Sequence, residues 1–203
     1  MMQKPDSDRH SAILDAARKR FARFGPGKVT MDEIAADMGC SKAALYYYFS
    51  TKEEIFRQVI LREQQEFLDQ LTVITRQDHP SSEKLREYFH HHLLLLDELL
   101  NLKIFSIVPA EEKGFPLVQD LFRQFAAKEA ALLRDILAEG KSRGEFSIST
   151  PETTATLLQH ALQGLRMRFA KSYRRGEIND SQITLAADEI RMLGEIVVRG
   201  ISR

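Results

Sequence analysis

The sequence predicts an all-α protein, on three observations. Apolar residues recur at three- and four-residue spacing in almost every segment from Ile13 to Ile201. No stretch alternates apolar and polar residues for long enough to make a strand. Glycine and proline fall between the periodic segments, at Gly25-Pro26-Gly27, Pro80, Pro109, Gly114 with Pro116, Gly144 and Pro151. At 203 residues, 43% hydrophobic and 29% charged, the chain is long enough to bury a sizeable core and ordinary in composition for a globular protein.

About nine helices follow from this pattern. The first, 9–24, puts Ile13, Ala16, Ala17, Phe21 and Phe24 on one side. Two short helices are expected at 31–38 and 42–48, and a longer one at 52–75, striped by Ile55, Phe56, Val59, Ile60, Phe67, Leu71 and Ile74. A helix over 82–100 is apolar nearly all round in its second half, which predicts burial. A short segment at 102–108, a long amphipathic helix over 117–144, and helices at 151–173 and 179–200 complete the set. Thr150-Pro151 is a start signal, with a hydroxyl at the cap and proline in the first turn.

Residues 30–54 are the most informative. Thr30 and Glu33 have the spacing of a capping box. Ile34, Ala35 and Met38 mark one apolar stripe, Gly39 suits the left-handed residue that ends a helix, and Ser41 suits the cap of the next. Two helices joined by a short glycine turn make a helix-turn-helix, whose second helix enters the DNA major groove. On that second helix Ala44 and Leu45 are expected to face the protein, while Lys42, Tyr46 and Tyr47 project outward. Adjacent helical positions point about 100° apart, so Tyr46 and Tyr47 cannot both pack on one core face. Lys42, with Ala43 and Ala44, begins the helix where side chains meet base edges: a lysine suits guanine, and alanine methyls suit thymine methyls. Thr51 and Glu54 repeat the capping spacing and start the next helix at once.

The order of residues over roughly 13–60 resembles the amino-terminal domain of the TetR family of transcriptional regulators. The features that carry the resemblance are Ala16, Ala17 and Phe21, then Gly25 and Thr30, Ile34-Ala35 and Gly39. The most specific part is Leu45-Tyr46-Tyr47-Tyr48-Phe49 followed by Lys52-Glu53. Pro26-Gly27, Cys40 and Tyr48 depart from residues common in that family, and the departures touch local packing and contact detail. The resemblance implies a helix-turn-helix DNA-binding domain at 1–52 and a helical ligand-binding and dimerisation domain at 53–203. It implies DNA contacts at Thr30, Ser41, Lys42, Ala43, Ala44, Tyr46, Tyr47 and Lys52, with Thr30 and Lys52 on phosphates. It also implies that a small-molecule effector is held in the helical body, near Phe89, Leu93, Phe105, Phe122, Phe125 and Leu162. Arg166 lies amid apolar positions, and the sequence leaves open whether it anchors an anionic ligand or pairs with a nearby carboxylate. Dimerisation is expected through the last two helices, at Leu158, Leu165, Ile183, Ile190, Leu193 and Val197.

Composition adds limits. Formal net charge is zero, and residues 1–60 hold ten Lys/Arg against eight Asp/Glu, so DNA binding rests on placement of a few residues rather than bulk charge. The amino terminus lacks the apolar run of a signal peptide, and no stretch is long enough to span a bilayer. One cysteine excludes an internal disulfide and fits a reducing compartment, so a cytoplasmic location with no membrane partner is expected. His90-His91-His92 on one helix diverge and cannot share an ion, while Glu87 with His91 offers only two ligands; no metal and no cofactor are expected. No convergent acid, base or nucleophile set is visible, so no catalytic residue is assigned. The expected function is a DNA-binding transcriptional regulator: a repressor that binds a palindromic operator in double-stranded DNA as a homodimer and is released by a small, largely apolar ligand. Two alternatives stay open at this point, a ligand-independent DNA-binding dimer and a helical metal-dependent enzyme.

Overall fold

The computed structural model describes residues 5–101, 116–174, 177 and 179–203; side chains are described from residue 8, and not at 94–101, 116–119, 170 and 173–174. Eight helices lie in that range: α1 (Pro5–Phe24), α2 (Met31–Asp37), α3 (Lys42–Tyr48), α4 (Lys52–Arg76), α5 (Ser81–Asn101), α6 (Pro116–Ser142), α7 (Pro151–Arg174) and α8 (Asp180–Ile201). No strand occurs among the described residues, only a single bridge between Phe146 and Ser202. The helix expected at 102–108 and the ligand residue Phe105 lie outside the described residues. None of the described helices is long and apolar enough to cross a membrane.

The chain forms two compact units, one holding residues up to Gln64 and the other Gln65–Glu98 and Gln119–Arg203. In the first, the head, α1 to α3 and the start of α4 share a core of Ile13, Ala17, Phe21, Val29, Ile34, Leu45, Phe49, Ile55, Phe56, Val59 and Ile60. Phe21 and Phe56 meet edge to face at 5.1 Å, and the His10 ring lies 4.7 Å from that of Phe49. Phe49 thus ties the end of α3 to α1. Ion pairs hold the outer sides together: Arg20 reaches Asp37 at 2.5 Å and Glu33 at 3.2 Å, Arg18 reaches Glu63 at 2.6 Å, and Arg62 reaches Asp15 at 2.8 Å.

In the second unit, the body, Phe67, Leu71 and Ile74 of α4 pack with Leu85, Tyr88 and Phe89 of α5, Phe125, Leu133, Ile136 and Leu137 of α6, and the inner faces of α7 and α8. Lys84 is buried, its ammonium donating to the Thr75 carbonyl at 3.1 Å and to Glu139 at 2.7 Å. The Glu145 carboxylate accepts from the Ser81 and Ser82 amides that open α5. Helices α5 and α8 approach closely at Gly194, where a Cβ would sit 2.8 Å from Phe89 Cγ and 2.9 Å from its Cβ. Those are stem atoms that cannot swing away. Gly194→Ala should therefore lower unfolding free energy by about 1–2 kcal/mol, overpacking outweighing the better helix propensity of alanine; urea denaturation measures it, and an unchanged or raised midpoint would show the helices can part at no cost.

Candidate functional site

The head presents its site through two short helices and the turn between them. Glu33 N–H donates to Thr30 Oγ1 at 3.4 Å, and the Glu33 carboxylate accepts from the Thr30 amide at 2.8 Å and its hydroxyl at 2.9 Å, completing the capping box. The Thr30 amide and then its hydroxyl hold the Glu33 carboxyl below its ordinary value. At the far end of α2, Gly39 takes φ +61°, and the Cys40 amide donates to the Ala35 carbonyl while that of Gly39 donates to Ala36, each at 3.0 Å. This pair of reversed bonds is the Schellman turn, and only a residue free to adopt positive φ closes it cheaply. Ser41 Oγ accepts from the Ala44 amide at 3.1 Å and caps α3. Thr51 Oγ1 likewise accepts from the Glu54 amide, and the Glu54 carboxylate takes the Ser50 hydroxyl.

Along α3, Leu45 is fully buried and Ala44 half-buried, while Lys42, Ala43, Tyr46 and Tyr47 are exposed. Tyr47 is 77% exposed and Tyr46 45%, so both hydroxyls stand on the outer face. Lys52 is half-buried at the start of α4. The sequence did not indicate one contact: the Lys42 ammonium lies 2.8 Å from Asp32 Oδ1 and 5.9 Å from the centre of the Tyr46 ring. Asp32 hydrogen-bonds Lys42 and raises its pKa.

A scan of family models matches residues 13–59 to "Bacterial regulatory proteins, tetR family". A transcriptional regulator of known structure from Cytophaga hutchinsonii ATCC 33406 is 32% identical, covers 94% of this chain and 97% of its own, and superposes with a TM-score of 0.84. The chain belongs to the TetR family. Some relatives match well beyond the head. The uncharacterized HTH-type transcriptional regulator YhgD of Bacillus subtilis (strain 168) is 27% identical over 154 residues, 74% of this chain and 78% of that protein. The HTH-type transcriptional repressor BepR of Brucella suis biovar 1 is 27% identical over 164 residues, 78% of each. This TetR-family chain is a DNA-binding transcriptional regulator, and α2 with α3 is its helix-turn-helix.

In the body of this TetR-family chain, Arg166 faces a carboxylate, its guanidinium 3.7 Å from Glu129 Oε2. Glu129 is wholly buried on α6 and is the centre of a polar cluster. Tyr88 donates its hydroxyl to Glu129 Oε1 at 2.8 Å. His92 donates from Nε2 to the same oxygen at 2.5 Å and from Nδ1 to the Tyr88 carbonyl at 2.9 Å. Burial pushes the Glu129 carboxyl up, but the charge and hydrogen bond of His92, then Arg166 and the Tyr88 hydroxyl, more than offset it and hold the pKa down at about 2. Burial first, and Glu129 second, push the Tyr88 hydroxyl well above its ordinary value.

Of the expected ligand residues, Phe89, Phe125 and Leu162 are buried in contact with protein, Phe125 against the Phe67 ring at 5.6 Å, and Phe122 is half-buried. A cleft of about 90 Å³ between α5 and α8 is lined by Arg86, Phe89, His90, Leu93, Arg191, Gly194 and Glu195. It includes Phe89 and Leu93 but not Phe122, Phe125, Leu162 or Arg166. The histidine run divides as helix geometry requires: His92 points inward and His90 outward. Glu87 meets His79 and Glu83, and the ligand-type atoms of the three lie within 4.8 Å of one another. This is a partly exposed set, with the Arg143 guanidinium donating to the His79 carbonyl beside it.

The expected interface residues divide by burial within the subunit: Ile190 is 2% exposed and Leu158 5%, both packed in the core. Leu165, Ile183, Leu193 and Val197 are half-buried. A second apolar stripe faces outward: Leu185, Met192 and Ile196 on α8, with Leu157 and Met167 on α7. An Arg168–Glu189 ion pair joins the two helices along this outer side.

Proposed function

We propose that the chain is a homodimeric repressor that places α3 of each subunit in successive major grooves of a palindromic operator and releases it when a small, largely apolar molecule occupies the body. The observation that carries this reading is the outer face of α3, where Lys42, Ala43, Tyr46 and Tyr47 project together from a helix fixed by a cap and a Schellman turn. In this reading Thr30, Tyr46, Tyr47 and Lys52 grip phosphates, and Ser41 and Ala44 line the approach to the bases. Two exposed helix starts favour the phosphate contacts, since free N–H groups and the helix dipole attract anions. Repression is supported by the relationship to BepR, a repressor. The outward stripe on α7 and α8 supports a two-fold dimer, because large apolar side chains gathered on one face need a cover. Helix α4 has residues in both units, which suits it to carry a ligand-induced change from the body to Lys52. We assign the chain no enzymatic role and a cytoplasmic location, in keeping with its lone cysteine.

Lys52→Ala tests the phosphate grip. Affinity should fall by a similar factor on operator and random DNA, because phosphates carry no sequence information. The slope of log affinity against log salt should shrink by about 0.9, one counterion fewer being released. An unchanged slope in a salt titration by fluorescence anisotropy would remove Lys52 from the contact set.

A further inference from the structure

Lys42 is the first residue of α3, and its ammonium faces both carboxylate oxygens of Asp32, at 2.8 Å and 3.0 Å. Asp32 stands in the first turn of α2, whose geometry the Thr30–Glu33 capping box fixes. The ammonium also lies over the Tyr46 ring, 5.9 Å from its centre. Two groups on two different helices therefore fix where this cation sits. Yet the pair remains reachable from outside, the Lys42 side chain being 58% and that of Asp32 62% exposed. An ammonium has three donors, and a carboxylate on one side leaves others directed outward.

Resting on the reading that α3 enters the major groove, we propose that Asp32 is a positioning residue that aims Lys42 at a base edge and withholds it from the phosphates. A lysine carries a long flexible stem and a strongly hydrated point charge, and by itself it settles on whichever anion is nearest. On random DNA the nearest anions are phosphates. Held by Asp32 and the Tyr46 ring, the ammonium is already neutralised and adds little to counterion release. In the operator complex the same tether leaves it at the head of α3, where guanine presents O6 and N7. Asp32 thus acts on selectivity without touching DNA itself.

The test is Asp32→Asn, which keeps the side-chain shape and leaves the Thr30–Glu33 box in place. Three measurements on the full chain decide it: affinity for random duplex, affinity for operator, and the motif selected from a random DNA pool. Affinity for random DNA should rise about two- to five-fold, with the salt slope steeper by about 0.9 as Lys42 joins the phosphate contacts. Operator affinity should not rise in step, and the motif should relax at the same position that Lys42→Ala relaxes. In a Lys42→Ala background, Asp32→Asn should leave the motif unchanged. Equal rises on operator and random DNA with an unaltered motif would overturn the proposal and reduce Asp32 to a general repulsive charge. No change in any of the three would overturn it as well, showing that the pair is without consequence. If the parent chain selects no motif at all, the reading of α3 as a DNA reader falls, and this inference with it.

Discussion

Replacing His92 by leucine should destabilise the body by about 3–5 kcal/mol, because it leaves the buried Glu129 carboxylate without its closest partner. The Tyr88 hydroxyl and the Arg166 guanidinium at 3.7 Å would remain, and neither replaces a charge-assisted bond of 2.5 Å. If the charge is the cause, adding Glu129→Gln to His92→Leu should recover most of the loss, since glutamine still accepts from Tyr88 and carries no charge. A double variant no more stable than His92→Leu would place the loss in the packing of the imidazole against Tyr88 and Phe67 instead. The same cluster sets an acid limit. The Glu129 pKa falls from an ordinary 4.5 to about 2 in the folded chain, so its contribution is fully present above pH 4.5 and is lost as pH drops through 2. That contribution is on the order of 3 kcal/mol. Urea midpoints of parent and Glu129→Gln measured between pH 7 and pH 2 should converge at the acid end; midpoints that stay parallel would show that Glu129 does not titrate in this window.

Met192→Glu is expected to give a folded monomer, whereas Ile190→Glu should unfold the subunit. Met192 is 61% exposed and Ile196 62%, against 2% for Ile190 on the opposite side of the same helix. If α7 and α8 meet their symmetry mates through the outer stripe, one substitution buries two unpaired glutamates, one from each subunit, at several kcal/mol apiece. The dimer dissociation constant should then rise by about a thousandfold or more. Sedimentation velocity with circular dichroism separates the outcomes: Met192→Glu should sediment as one subunit with helical content intact, and operator affinity should collapse because two half-sites are no longer held in register. A Met192→Glu variant that stays dimeric would move the interface off this face.

Local rules were legible in the sequence and long-range ones were not. The Thr30–Glu33 box, the Gly39 turn and the Ser41 cap were all readable because each is complete within about five residues and has few alternatives. The expected interface residues Ile183, Ile190, Leu193 and Val197 fall at helical spacing on α8, but a period reports that a helix has an apolar face, not which neighbour covers it. The stripe Leu185, Met192 and Ile196 has spacings of seven and four and was hidden beside the longer one. Arg166 stands out in the sequence as a polar residue among apolar ones. Its partner Glu129 sits 37 positions away in an alanine-rich run that reads as a solvated helix face. Asp32 and Lys42 are ten residues apart across a turn, a separation at which no helical rule applies. The expected ligand residues rested on aromatic density, which marks packed interior as readily as it marks a pocket; Phe125 and Leu162 belong to the former in this structure.

Helices α2 and α3 are seven residues each, well below the roughly 12–15 at which an isolated helix holds together in water. Their existence depends on Ile34 and Leu45 in the core, on the Thr30 and Ser41 caps and on Gly39. The residues that do face outward contribute almost nothing to keeping the helix formed. Apart from Thr30 and Ser41, which serve both as caps and as proposed DNA contacts, recognition and foldedness are thus written on separate side chains. Lys42, Ala43, Tyr46 and Tyr47 are open to exchange for other side chains with little effect on the fold, so a lineage of such proteins can drift from one operator to another without passing through an unfolded ancestor.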